Sequence, residues 1–168
     1  MKTLSAWVVL LLFSSATRLL ACNGALVAGS ATPDGRPLLW KSRDTKQEAN
    51  DLRAFRGEPF DFIGMVDTRD TTGSQVWMGV NSAGFAIMNT NALNLPKGDY
   101  SGKMDQDGYL MKQALSTCAT LQDFERILGN AAKPWGVQAN FGAFDARGGI
   151  AFYEVMPGRY EKFDVADP

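Results

Sequence analysis

The sequence predicts an α+β domain built on a largely antiparallel sheet. Three observations carry this reading. Short strand-like runs bounded by turn signatures fill both ends of the chain. Two helical segments sit together between them, near 109–116 and from about 120 onward. Helices and strands do not alternate as a parallel sheet would require. No repeat or linker divides the chain, so one domain is expected.

Residues 24–28 read as a first strand and 38–41 as a second. Pro33-Asp34-Gly35 between them is a tight-turn signature. The resulting hairpin brings Cys22 and Asp44 to the same end. Residues 46–59 are polar and are expected to form a loop. Further strands are predicted over 60–66 and 75–80, with a polar turn over 67–74. Asn81-Ser82-Ala83-Gly84 reads as a turn into a buried strand over 85–89. Residues 94–107 read as a loop bearing glycine and lysine.

The first helix places Leu110, Ala114 and Leu115 near one face. In the second, Thr120-Leu121-Gln122-Asp123 resembles a cap, and Leu121, Phe124, Ile127 and Leu128 form the apolar stripe. Gly129-Asn130 ends it. Residues 140–144 and 150–155 form a hairpin around Asp145-Ala146-Arg147-Gly148-Gly149, and 160–165 add a last strand.

The N-terminus reads as a secretory signal over 1–21. Lys2 is its basic start, residues 7–13 are apolar throughout, and Ala21 precedes the cut. The apolar run is too short to span a membrane. Cleavage after Ala21 would leave Cys22 as the first residue. A terminal cysteine carries a thiol nucleophile and an α-amine that can act as its base. Leu19-Leu20-Ala21-Cys22 also resembles a bacterial lipoprotein box, in which the sulfur receives a diacylglyceryl group. Lipidation would consume the thiol that catalysis needs. Lipoproteins usually continue into a disordered polar tether, whereas a strand is predicted directly after Cys22, which favours catalysis. The expected location is secreted or periplasmic, with an outer-membrane lipoprotein as the alternative.

Composition narrows the chemistry. The 168 residues are 45% hydrophobic, ordinary for a globular protein. Removing residues 1–21 takes Lys2 and Arg18 but no acid. The 17 basic residues become 15 against 18 acidic, a net charge of −3 over 147 residues. No basic run points to nucleic acid. The chain has no histidine. That excludes Ser-His-Asp and Cys-His mechanisms and most zinc sites; no cofactor or metal is implied. Cys118, between the helices, is expected to pack as a small apolar group. A disulfide to Cys22 would block the nucleophile and is disfavoured. Trp40, Trp77 and Trp135 are expected in the core or a pocket wall.

Three segments in order carry a family resemblance. Cys22, Thr32-Pro33-Asp34-Gly35 and Leu39-Trp40-Lys41-Ser42-Arg43-Asp44 resemble the start of the N-terminal-nucleophile amidohydrolases of the penicillin V acylase, bile salt hydrolase and isopenicillin-N acyltransferase group. Residues 79–87 and 144–154 resemble a second turn-and-strand and a later hairpin of that family. The resemblance covers most of 22–155. It implies a four-layer αββα sandwich with antiparallel sheets. It also implies a small-molecule amide substrate, cleaved or transferred through a thioester.

Residue by residue, the resemblance makes Cys22 the nucleophile and Asp44 the acid that hydrogen-bonds it. The family arginine falls on Lys41, a departure that gives up the planar guanidinium fork; a strand-edge lysine is the plainer reading. Arg43 shares a strand face with Lys41 and is a substitute for that guanidinium. Ser42 stands where many relatives have asparagine. Asn91 matches an oxyanion-hole position, with Asn89 a nearby alternative, and a turn-capping role for Asn91 is the competing reading. Asn140 is read as a strand-start residue. Lys41 and Asp44 can serve together only if the strand bends or ends before Asp44. The family's second oxyanion asparagine lies beyond residue 168, so residues 22–168 read as a domain incomplete at its C-terminus, with weak or no catalysis alone. The homo-oligomeric state stays open.

Overall fold

The computed structural model describes residues 22–92, 106–130 and 136–165. Residues 1–21 of the expected signal, residues 94–105 of the expected loop, and Trp135 lie outside the described residues. The strands are β1 (Asn23–Val27), β2 (Leu38–Ser42), β3 (Asn50–Phe55), β4 (Phe62–Asp67), β5 (Met78–Asn81) and β6 (Ala86–Asn91). Helices α1 (Asp107–Thr117) and α2 (Leu121–Asn130) follow, then β7 (Ala139–Phe144), β8 (Ile150–Met156) and β9 (Arg159–Asp164). A single 3₁₀ turn, Gly29–Ala31, lies in the β1–β2 connection.

β3 to β9 form one seven-stranded antiparallel sheet in chain order, and β1–β2 form a separate two-stranded sheet. The helices cover one face of the large sheet. Strand alternation sends Phe62 and Val66 from β4, Ile87 from β6, Phe141 from β7 and Tyr153 from β8 to that face. They meet Met111 and Leu115 from α1 and Phe124 and Leu128 from α2. Phe124 packs edge-on against Phe141 and Tyr153, with centroids 5.8 and 5.2 Å apart. Truncating such a fully buried ring costs about 3–5 kcal/mol.

β1–β2 lies on the opposite face, over β6 and β7. A Cβ on Gly24 would meet the Met88 side chain at 2.2 Å, and one on Gly142 would meet Met88 at 2.7 Å and Leu26 at 3.4 Å. The two glycines let the sheets approach closely. Helices, large sheet and small sheet make three stacked layers of an αββα sandwich.

Two of the expected signature segments act as clasps. Asn81 is buried; its amide nitrogen donates to the carbonyls of Leu115 and Cys118 at 2.9 and 2.7 Å, and its oxygen accepts from the Ala83 and Phe85 amides. It ties the β5–β6 turn to the end of α1. Asp145 accepts from the Arg147 and Gly149 amides within its own turn and from Leu121 at the start of α2, at 2.9 Å. Thr120 and Asp123 form a reciprocal capping box there.

Three expectations need correction. Residues 50–55 are not loop but the edge strand β3, paired with β4 from Asn50↔Asp67 to Phe55↔Phe62. Leu52 on it is 76% exposed, so β3 buries too little to produce an alternating signal. Trp40 is not in the core. It points outward from β2 and is 56% exposed, because the inward positions of that strand are Leu39 and Lys41. Asp107 opens α1 rather than closing a loop.

Candidate active site

The site follows from the register of the small hairpin. Asn23 pairs with Ser42 and Gly24 with Lys41. Cys22 therefore stands at the open end of the hairpin, on the same face as Gly24 and diagonal to Lys41. β2 ends at Ser42, so Asp44 is free of the strand alternation, as joint use with Lys41 requires. The Cys22 thiol donates to the backbone oxygen of Asp44 at 3.7 Å. The Asp44 side chain itself is exposed. The hairpin thus joins Cys22 and Asp44 through the main chain, with the carboxylate turned to solvent.

Lys41 faces the large sheet. β5 is only four residues long, and its pairing with β6 stops at Met78↔Met88. Residues 89–91 of β6 consequently have no β5 neighbour, and this notch admits the lysine. Its Nζ donates to the Trp77 carbonyl at 3.0 Å and to Asn89 Oδ1 at 2.6 Å. Asn89 is buried, 5% exposed, and its Nδ2 donates to Asp107 Oδ2 at 3.4 Å. Burial pushes the Lys41 ammonium down to about 8; the Arg43 charge adds to this, while Cys22 and Asp107 pull the other way.

Arg43 does not join this group as a substitute guanidinium. Its side chain is 9% exposed and paired with Asp67. It donates to Asn50 Oδ1 at 2.5 Å and lies over the Trp77 ring, 4.9 Å from its centroid. Arg43 fastens the end of β2 to β3 and β4, and half-buried Trp77 meets both cations, Arg43 with its ring and Lys41 with its carbonyl. Asn91 ends β6 opposite Ala139 and is exposed. Gly24 packs against Met88 and Thr90, which sets the Cys22 end of β1 over the Asn91 end of β6. Asn140, paired with Thr90, has a buried Oδ1 without a hydrogen-bond partner among the described residues.

Both cysteines are free. Cys118 is fully buried in the core, and burial pushes its thiol up to about 11. Sequence reasoning named Asn89 only as an alternative oxyanion donor and missed its hold on Lys41. The available signal was a polar residue at the end of an otherwise buried strand, which needs a partner. Asp107 and the Trp77 carbonyl gave no signal, because they meet Lys41 only through the tertiary fold. Among the described residues, no group of three His, Cys, Asp or Glu side chains could hold a metal ion, and no helix is long and apolar enough to cross a membrane.

No family model matches the chain, and no curated protein matches it in sequence. The backbone is more informative. Over 86% of its length it matches a mutant of the conjugated bile acid hydrolase from Clostridium perfringens, with a TM-score of 0.62 at 16% identity. The fold is that of the N-terminal-nucleophile hydrolases. Penicillin V acylase from Agrobacterium tumefaciens also matches over 86% of this chain, at 16% identity and a TM-score of 0.46. The chain covers 51% of the first of these structures and 40% of the second, so it spans about half the length of the solved chains it resembles.

Proposed function

We propose that this chain is the nucleophile-bearing part of an amide hydrolase or acyltransferase that acts on small linear amides, with Cys22 exposed by removal of residues 1–21. One observation carries the reading. The thiol sits at the open end of a hairpin, diagonal to a part-buried ammonium, in an N-terminal-nucleophile fold. Such an arrangement suits a thiol nucleophile, because a nearby cation favours its thiolate.

In the proposed reaction the free α-amine of Cys22 takes the thiol proton. The sulfur attacks the amide carbonyl carbon, forming a C–S bond while the carbonyl π electrons move to oxygen. Asn91 is proposed to donate to that oxyanion; a donor of this kind is worth roughly 3 kcal/mol. Collapse breaks the C–N bond, and the amine leaves with the proton from the α-ammonium. Water, or a second amine in a transferase, then attacks the thioester and gives up its proton to the α-amine. The C–S bond breaks and the thiol is restored. Asp44 is proposed to orient the cysteine, and Lys41 to supply the local positive charge. The protein is proposed to work outside the cytoplasm, in the periplasm or secreted.

The test is turnover of a panel of N-acyl amides, including phenoxyacetyl and bile-acid conjugates, by protein whose N-terminus has been processed. Cys22→Ala is expected to abolish turnover while leaving the unfolding midpoint in place, and a thioester adduct on Cys22 should be visible by mass. Turnover that survives Cys22→Ala would refute the assignment. A diacylglyceryl group on Cys22 would instead make this a membrane-tethered binding protein of the same fold.

A further inference from the structure

The Lys41–Asn89 contact raises a question of orientation. An asparagine amide offers an acceptor at one end and donors at the other. Lys41 can only donate, and an ionised Asp107 can only accept. The two partners therefore fix the amide the right way round: Oδ1 toward the ammonium at 2.6 Å, Nδ2 toward the carboxylate at 3.4 Å. Asn89 lies beyond the last β5–β6 pair, so β5 does not flank it, while β7 pairs with it through Phe141. With the Trp77 carbonyl at 3.0 Å, the ammonium has two directed acceptors on the large sheet. Its stem rises from β2, on the face it shares with Cys22.

We propose that Asn89 is a positioning residue, which, clamped by Asp107, holds the Lys41 ammonium beside the Cys22 end of the hairpin. Asn89 acts on the cysteine only through Lys41. The assignment rests on the reading of Cys22 as nucleophile for its functional meaning, but not for its geometry. The charged groups acting on the ammonium are Cys22 from the start of β1, Arg43 beyond β2 and Asp107 from α1. Burial already weakens its hold on a proton. Losing an acceptor that bonds the charged form weakens that hold further.

Asn89→Leu tests this, because it replaces the amide by a neutral apolar group of the same branched outline, with neither acceptor nor donor. A change in Cys22 reactivity that disappears when Lys41 is removed then reports the placement or charge of Lys41. In the full-length chain, the rate of Cys22 carbamidomethylation near pH 7 is expected to fall roughly fivefold to tenfold. In a Lys41→Met background the same substitution is expected to change the rate by less than about twofold, since contributions through one shared partner do not add. If Asn89→Leu fails to fold, Asn89→Ala carries the same test, again without a change of charge. The Lys41 side-chain NMR titration supplies a second readout, and its midpoint should move below about 8 in either variant. An unchanged alkylation rate, or an equal loss with and without Lys41, would overturn the assignment. Amide turnover is scored separately. Its absence from wild-type protein that shows the Lys41-dependent effect would count against the hydrolase reading and leave Asn89 assigned.

Discussion

Lys41 is held in opposition. Burial disfavours its charge, and two acceptors support it. The sign of the resulting pH dependence follows from linkage. In the unfolded chain a lysine keeps its proton to about 10.5, whereas in the fold it releases it near 8. Between these values the unfolded state binds the extra proton, so the wild type gains stability as pH rises. Denaturant midpoints of wild type and Lys41→Met should therefore diverge in favour of the wild type between about pH 8 and 10. A constant difference would show that the amine is not depressed. The two cysteines make a second residue-scale contrast. Cys118 is fully buried with its thiol pushed up to about 11, while Cys22 is half-buried. Iodoacetamide near pH 7 should label Cys22 alone in the native protein and both after unfolding, as peptide masses would report.

At the scale of elements, Asp145 joins two pieces far apart in sequence. It satisfies two amides of the β7–β8 turn and the first amide of α2. Asp145→Ala would leave the buried Leu121 amide and two part-buried turn amides without their acceptor, at a cost of about 3 kcal/mol in urea unfolding. A loss below about 1 kcal/mol would mean that water replaces the carboxylate. Elements with strong local signals were legible in the sequence. The β1–β2 turn, the capping box at Thr120 and Asp123, and the hairpin around Asp145 are written in adjacent residues. β3 was illegible because an exposed edge strand is held by backbone pairing rather than by an apolar face. Trp40 misled for a related reason, since its size argued for burial while strand alternation set it outward.

On the scale of the whole molecule, the α+β class and the antiparallel sheet followed from the order of segments. The close approach of Cys22 and Asp44 followed from one turn. The hold of Asn89 and Asp107 on Lys41 did not. It depends on how far β5 extends along β6 and on where α1 begins, neither of which periodicity determines. The uneven cover of the large sheet belongs to this scale too. One face is covered by the helices, while on the other, among the described residues, β1–β2 lies over β6 and β7. Ile63 and Val80, paired across β4–β5, remain 53% and 45% exposed there. The site lies at the border of this face, where Lys41 of β2 reaches Asn89 of β6.

Everything proposed for the chemistry turns on the state of Cys22 in the processed protein. The direct measurement is the mass of the N-terminal peptide from protein recovered from a bacterial envelope. A peptide that begins at Cys22, with free sulfur and free amine, is the expected result. A chain that still carries residues 1–21, or a Cys22 bearing diacylglyceryl, would contradict the account.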